Sequence, residues 1–240
     1  MAAVGASACE QGRFILENTV GEEMAVKMKH MFNALVVLAL EPIFEGAEFK
    51  KINPGEPIPK DKLSWKQVDP DFRYWICAVC AINRNCCGCD IYEFGGYPKG
   101  NWLWRTSTRH MLVSDWKIYS REDHIVTIQD MMESVTPELP KVGKVWQYLR
   151  IIQNAGFGYV AEYLTLEEAL NCALAAGREL QKVVSGWEEL GEKYLEAYAI
   201  YMGKDSREFE LRKASYQELW ARQDNPYEKV PFDLELKKSW

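Results

Sequence analysis

Apolar side chains recur at intervals of three and four along almost the whole chain. That spacing is what a single buried stripe on an α-helix requires. Phe72, Trp75, Ile76, Val79 and Ile82 form one stripe, and Leu166, Leu170, Ala173, Leu174, Gly177 and Leu180 form another. Met24, Met28, Met31, Phe32, Leu35, Leu38 and Ala39 form a third, which Pro42 should end or kink. Further stripes run through Trp102–Trp116, Ile125–Val135, Val145–Gly156, Trp187–Met202 and Leu211–Trp220. Alternating runs of strand type are no longer than about four residues. The expectation is an all-α protein, a single irregular or orthogonal helical bundle of about eight helices spanning residues 1–240. One short β-hairpin near 92–97 is the only strand structure envisaged, with Gly95-Gly96 as its turn.

The ends of the helices carry their own signals. Thr165-Leu-Glu-Glu168 fits a capping box, in which the hydroxyl and the carboxylate each satisfy a free amide of the first turn. Ser185-Gly-Trp-Glu188 has the same form, and Ser120-Arg-Glu-Asp123 a version with a shorter acid. Thr136-Pro137 reads as another helix start, and Gly156-Phe-Gly158 as the end of the helix before it. Two segments read as loops. Residues 46–70 are rich in proline, and residues 88–100 hold four glycines and Pro98.

Charge and composition narrow the function. The 29 basic and 35 acidic residues leave a net charge of −6, which argues against a broad cationic surface for nucleic acid. The longest apolar run, Ala34–Leu40, is far short of the roughly 20 residues of a membrane span. The N-terminus has neither a basic segment nor an apolar core of secretory type. Seven cysteines, five of them between Cys77 and Cys89, do not resemble a spread, even-numbered disulfide framework. A cytoplasmic location is therefore expected. No phosphate-binding glycine loop, serine-nucleophile elbow or zinc-protease motif is present. Histidine is limited to His30, His110 and His124, and none follows position 124. The later helices therefore cannot supply the Glu-x-x-His pairs of a di-iron bundle.

Three groups of residues could carry chemistry. Cys77, Cys80, Cys86 and Cys89 are candidate ligands for zinc or an iron–sulfur cluster, or a redox pair. Cys77 and Cys80 also lie on an apolar stripe, where a free thiol serves simply as a small buried group. Glu188, Glu192 and Glu196 share one helix face, which suits acid–base work or a solvated surface. Arg105, Arg109 and Lys117 with Trp102, Trp104 and Trp116 mix cations and rings, a combination that can stack bases or grip an acidic partner.

The C-terminal half resembles a known family. Val145-Trp-Gln-Tyr-Leu-Arg150, Ala155-Gly156-Phe-Gly-Tyr159, Tyr163-Leu-Thr-Leu-Glu-Glu-Ala169 and Ser185-Gly-Trp-Glu-Glu-Leu-Gly-Glu-Lys-Tyr-Leu195 are similar, as a set, to bacterial domain-of-unknown-function family 1266. The likeness runs from about Leu112 to Phe232, and Gln147 stands where the family pattern has an acid. The resemblance implies a bacterial, helical, cytosolic protein and brings no activity with it. Trp146, Trp187 and Tyr194 fall on apolar stripes, and Arg150 follows Trp146 by one turn, placed to pair with Glu167, Glu168 or Glu188. These seven residues are the candidate binding site. With no complete catalytic motif, the expected function is a non-catalytic protein-interaction or regulatory module with a protein partner. No cofactor, membrane or nucleic acid is expected. The alternatives are an enzyme with an Arg/Glu/aromatic pocket at the helix junction, and a cysteine-cluster metal or redox module.

Overall fold

The computed structural model describes residues 60–240. The Met24–Ala39 stripe, His30 and most of the proline-rich 46–70 segment lie outside the described residues. Eight helices follow one another: α1 (Pro70–Val79), α2 (Ala81–Cys86), α3 (Trp102–Trp116), α4 (Arg121–Glu133), α5 (Lys141–Val160), α6 (Leu166–Val183), α7 (Trp187–Met202) and α8 (Arg207–Ala221). The described residues contain no strand, so the architecture is all-α. No helix among them is long and apolar enough to cross a membrane.

The longest helix, α5, lies at the centre and packs on α1, α3, α4, α6 and α7. Its residues Val145, Ile151, Ile152 and Ala155 are fully buried. The α6 stripe of Leu166, Leu170, Ala173 and Leu180 meets it, also fully buried. The Thr165 capping box forms as the sequence suggests: Thr165 Oγ1 accepts from the Glu168 amide at 3.2 Å, and Glu168 accepts from the Thr165 amide at 2.8 Å. At α7 the box shifts by one residue. Gly186 caps the helix, and Glu189 rather than Glu188 accepts from the Ser185 amide, at 2.7 Å.

Four local expectations are corrected. The stripe from Phe72 to Ile82 is two helices, because Cys80 sits at φ −98° and ψ 3° and its amide bonds back to Cys77, which breaks the helix there. α5 begins at Lys141 and not at Thr136-Pro137, since Pro140 has no amide to give inside a helix and serves as its cap. The hairpin is absent. Gly95 and Gly96, with φ of +84° and +85°, instead make a tight loop closed by a bond from the Gly96 amide to the Glu93 carbonyl.

The fourth concerns Gly156 and Gly158, which lie inside α5 and do not end it. A Cβ on Gly156 would stand 2.7 Å from the amide nitrogen of Gly95 and 2.8 Å from its Cα. A Cβ on Gly158 would stand 2.6 Å from His124 Nε2. Both glycines are therefore points of close approach, one for the 88–100 loop and one for α4. Gly156→Ala should destabilise the protein by about 2 kcal/mol, although alanine is the better helix former by about 1 kcal/mol. A urea midpoint raised by this change would contradict the packing described.

His124 is fully buried on α4 and its Nε2 lies 3.0 Å from the Asn154 carbonyl. Its Nδ1 has no partner among the described residues, and burial pulls its pKa from 6.5 to about 4. The neutral ring is the one the fold accepts. Stability is therefore fully present above pH 6.5 and falls as the pH drops toward 4, by up to about 3 kcal/mol. Urea unfolding across that window should show the loss, and His124→Gln should flatten it. A wild-type protein equally stable at both ends would refute this.

Candidate functional site

A cleft of about 440 Å3 lies between α2, α3, α5, α7 and α8. Small-molecule sites span roughly 300–1,000 Å3. Each wall is one face of a helix. Trp146, Leu149, Arg150, Gln153 and Phe157 recur along α5 at helical spacing, and Tyr194, Tyr198 and Tyr201 do so along α7. α3 contributes Thr108, Met111, Asp115 and Trp116. Asn83 and Arg84 come from α2, Arg212 from α8, and Cys87 and Cys89 from the loop after α2.

α2 is held to α8 by buried polar contacts. Asn85 Nδ2 donates to Ser215 Oγ at 3.0 Å, and Ser215 Oγ donates to the Ile82 carbonyl at 2.9 Å. This docking brings Arg84 and Arg212 to the same cleft. Arg84 is 3% exposed. None of its three side-chain nitrogens makes a hydrogen bond of ordinary geometry, although the Cys77 sulfur lies close by. The thiols of Cys80 and Cys89 are also near, and the Glu93 carboxylate acts on Arg84 electrostatically without a direct ion pair. Burial pushes the Cys80 thiol up to about 11 and the Cys77 thiol up as well. Both are therefore neutral at physiological pH and leave the guanidinium, which does not deprotonate in proteins, without a counter-charge from them.

The other two arginines rest on rings. The Arg150 Cζ lies 4.4 Å from the centre of Trp116 and 5.5 Å from that of Trp146. It forms no ion pair among the described residues, and its side chain donates only a long 3.5 Å bond to Gln147 Oε1. Burial pulls its pKa below the usual arginine value. Stacking covers the flat faces of a guanidinium and leaves its N–H edges free. Arg212 lies 4.0 Å from the centre of Tyr198 and donates to the Glu208 carbonyl at 3.1 Å and to Asn83 Oδ1 at 3.4 Å. Its Nε has no partner among the described residues. Thr108, also 3% exposed, has an unpartnered Oγ1 on the opposite wall. Against three arginines the lining holds one carboxylate, the exposed Asp115. The cleft is thus a positive region in a chain of net charge −6.

The expected site residues separate into two sets. Trp146, Arg150 and Tyr194 line the cleft. Glu167, Glu168, Trp187 and Glu188 do not. Glu168 is taken by Arg121, which donates to its two oxygens at 2.9 and 2.6 Å and holds its carboxyl down at about 2. Glu167 meets Lys238 at 3.0 Å. Trp187 is a core residue whose Nε1 donates to the Val230 carbonyl at 2.9 Å. Glu188, Glu192 and Glu196 lie exposed along α7 as a solvated face. Of the basic–aromatic group on α3, Trp116 reaches the cleft, while Arg105 pairs with Glu162 at 2.8 Å and Arg109 donates to the Ala161 carbonyl at 2.7 Å.

The cysteine candidates are spread between core and loop. Cys77 and Cys80 are buried, Cys86 and Cys89 partly so, and Cys89 Sγ donates to the Tyr97 hydroxyl at 3.2 Å. Among the described residues no three His, Cys, Asp or Glu side chains are grouped so as to hold a metal ion. The cation beside Cys77, Cys80 and Cys89 is the Arg84 guanidinium itself.

Sequence reasoning passed over Arg84, Thr108, Tyr198, Tyr201 and Arg212 as site residues. Arg84 did leave a signal. It falls four residues after Cys80 and eight after Ile76, in phase with a buried stripe where a solvated arginine has no place. Nothing in the sequence marks Arg212.

Fold and site together define an all-α protein with a cationic, aromatic-walled cleft. Residues 135–232 match a family described as Protein of unknown function (DUF1266). The match begins at 135, so the likeness expected upstream, from Leu112, is not part of it. It contains Trp146, Arg150, Tyr194, Tyr198, Tyr201 and Arg212, while Arg84, Thr108 and Trp116 lie before it. No curated protein and no solved structure matches the chain.

A buried charge without a direct ion-pair partner destabilises the fold that holds it. Arg84→Met should therefore raise the stability of the ligand-free protein by about 1–3 kcal/mol, read as a higher urea midpoint at unchanged slope. A loss of stability in that variant would mean that Arg84 is a structural partner of its neighbours.

Proposed function

We propose that the protein is a binding module for a small anion, which enters the cleft and gives Arg84 a direct ion-pair partner. On this reading it is a regulatory or carrier domain that answers to a small molecule, and not a surface for a protein partner. One observation carries it. A guanidinium 3% exposed, with no ion pair and no hydrogen bond of ordinary geometry among the described residues, lines a cleft together with two further arginines that have no carboxylate partner there. Guanidinium edges suit oxyanions, because two parallel N–H donors match two oxygens of a phosphate or carboxylate. The cleft does not bring Arg150 to the glutamates that an acid–base pocket would need. Asp115 is the carboxylate on its wall, and it is exposed.

Pyrophosphate is the direct probe. Added to the wild-type protein at constant ionic strength, it should raise the unfolding midpoint by about 2–3 kcal/mol at a hundredfold excess over its dissociation constant. In Arg84→Met the effect should vanish. An equal rise in wild type and variant would place the anion elsewhere and end this reading.

A further inference from the structure

The anion-binding reading leaves open what else the ligand carries, and the aromatic wall bears on that question. Trp146 is the centre of a ring cluster, with ring centres 6.0 Å from Tyr194, 5.9 Å from Tyr198 and 5.8 Å from Tyr201. Tyr194 and Tyr198 are 3% and 8% exposed and belong to the wall itself. Tyr201 differs. It lines the same cleft yet is 70% exposed, so a broad aromatic face stands open at the mouth.

Rings gathered in this way often cage a cation. Here that role is already filled, because Arg150 stacks on Trp116 and Trp146 and Arg212 on Tyr198. A second cation would be repelled by three guanidiniums. A flat, weakly polar ring meets no such opposition, and stacking on an exposed aromatic face is worth about 1–3 kcal/mol per base. The walls also carry donors and acceptors suited to a sugar or a base edge. The Thr108 hydroxyl is 3% exposed and unpartnered, and Gln153 and Asn83 add amides.

Resting on the anion-binding reading, we infer that the ligand is a nucleoside phosphate. Its phosphate lies on Arg84 with Arg212 or Arg150, and its base stacks at the mouth on Tyr201 and Trp146. The cleft of about 440 Å3 has room for one nucleotide. The net charge of −6 disfavours a long polyanion, so the free mononucleotide is the form expected, and not the end of a nucleic-acid strand.

The experiment compares four probes on the full chain by calorimetric titration: pyrophosphate, ribose 5-phosphate, AMP, and a short single-stranded oligonucleotide with a 5′-phosphate. AMP should bind about tenfold more tightly than ribose 5-phosphate. Tyr201→Ala changes an exposed side chain and should fold normally. It should bring AMP down toward the affinity of ribose 5-phosphate while pyrophosphate binds as before. Equal affinities for AMP and ribose 5-phosphate in the wild type, with pyrophosphate binding still dependent on Arg84, would overturn the nucleoside and leave the anion site standing. Binding of none of the probes would overturn both. An oligonucleotide bound more tightly than AMP would overturn the free-ligand form.

Discussion

A guanidinium held in a protein interior costs several kcal/mol unless an opposite charge meets it. The structure holds Arg84 there by several independent devices. The backbone break at Cys80 separates α2 from α1. The Asn85–Ser215–Ile82 contacts then pin α2 to α8. Burial keeps the thiols beside Arg84 protonated, so they give it polarisable surroundings without charge. A single apolar substitution would relieve this cost.

The rest of the cleft depends on α5. Its position among five other helices fixes the face that carries Trp146, Arg150 and Gln153. Gly156, on the same helix, lets the 88–100 loop come into backbone contact at Gly95. That loop in turn holds Cys89 on the cleft wall next to Arg84. α7 then lays its tyrosines against Trp146. Core packing and ligand wall are thus two faces of the same helices, which explains why aromatic residues on apolar stripes also line a cleft.

The helices were legible in the sequence because each buries one face, and burial of one face imposes its period. The stripes on α3, α6 and α7 and the Thr165 cap match the structure closely. Where the reading failed, the determinant was a tertiary contact. Gly156 looks like a helix end until the loop that packs on it is known, and Pro140 competes with Pro137 for the start of α5. The site was half legible. Trp146 and Arg150 lie on α5 and Tyr194 on α7, within one stretch of about fifty residues that carries a family pattern. The glutamates assigned to Arg150 are held instead by Arg121 and Lys238, because α4 and the C-terminal segment reach them first. Arg84 and Arg212 come from parts of the chain more than a hundred residues apart. Only the docking of α2 on α8 puts them on one cleft.

The central claim is that the Arg84 charge is met by a bound oxyanion. Crystals of the full chain soaked in selenate would test it by the anomalous signal of selenium. The account predicts a peak within hydrogen-bonding reach of the Arg84 nitrogens, shared with Arg150 or Arg212. Selenate bound only at other surfaces, with the Arg84 guanidinium seated on a carboxylate of the chain itself, would contradict it.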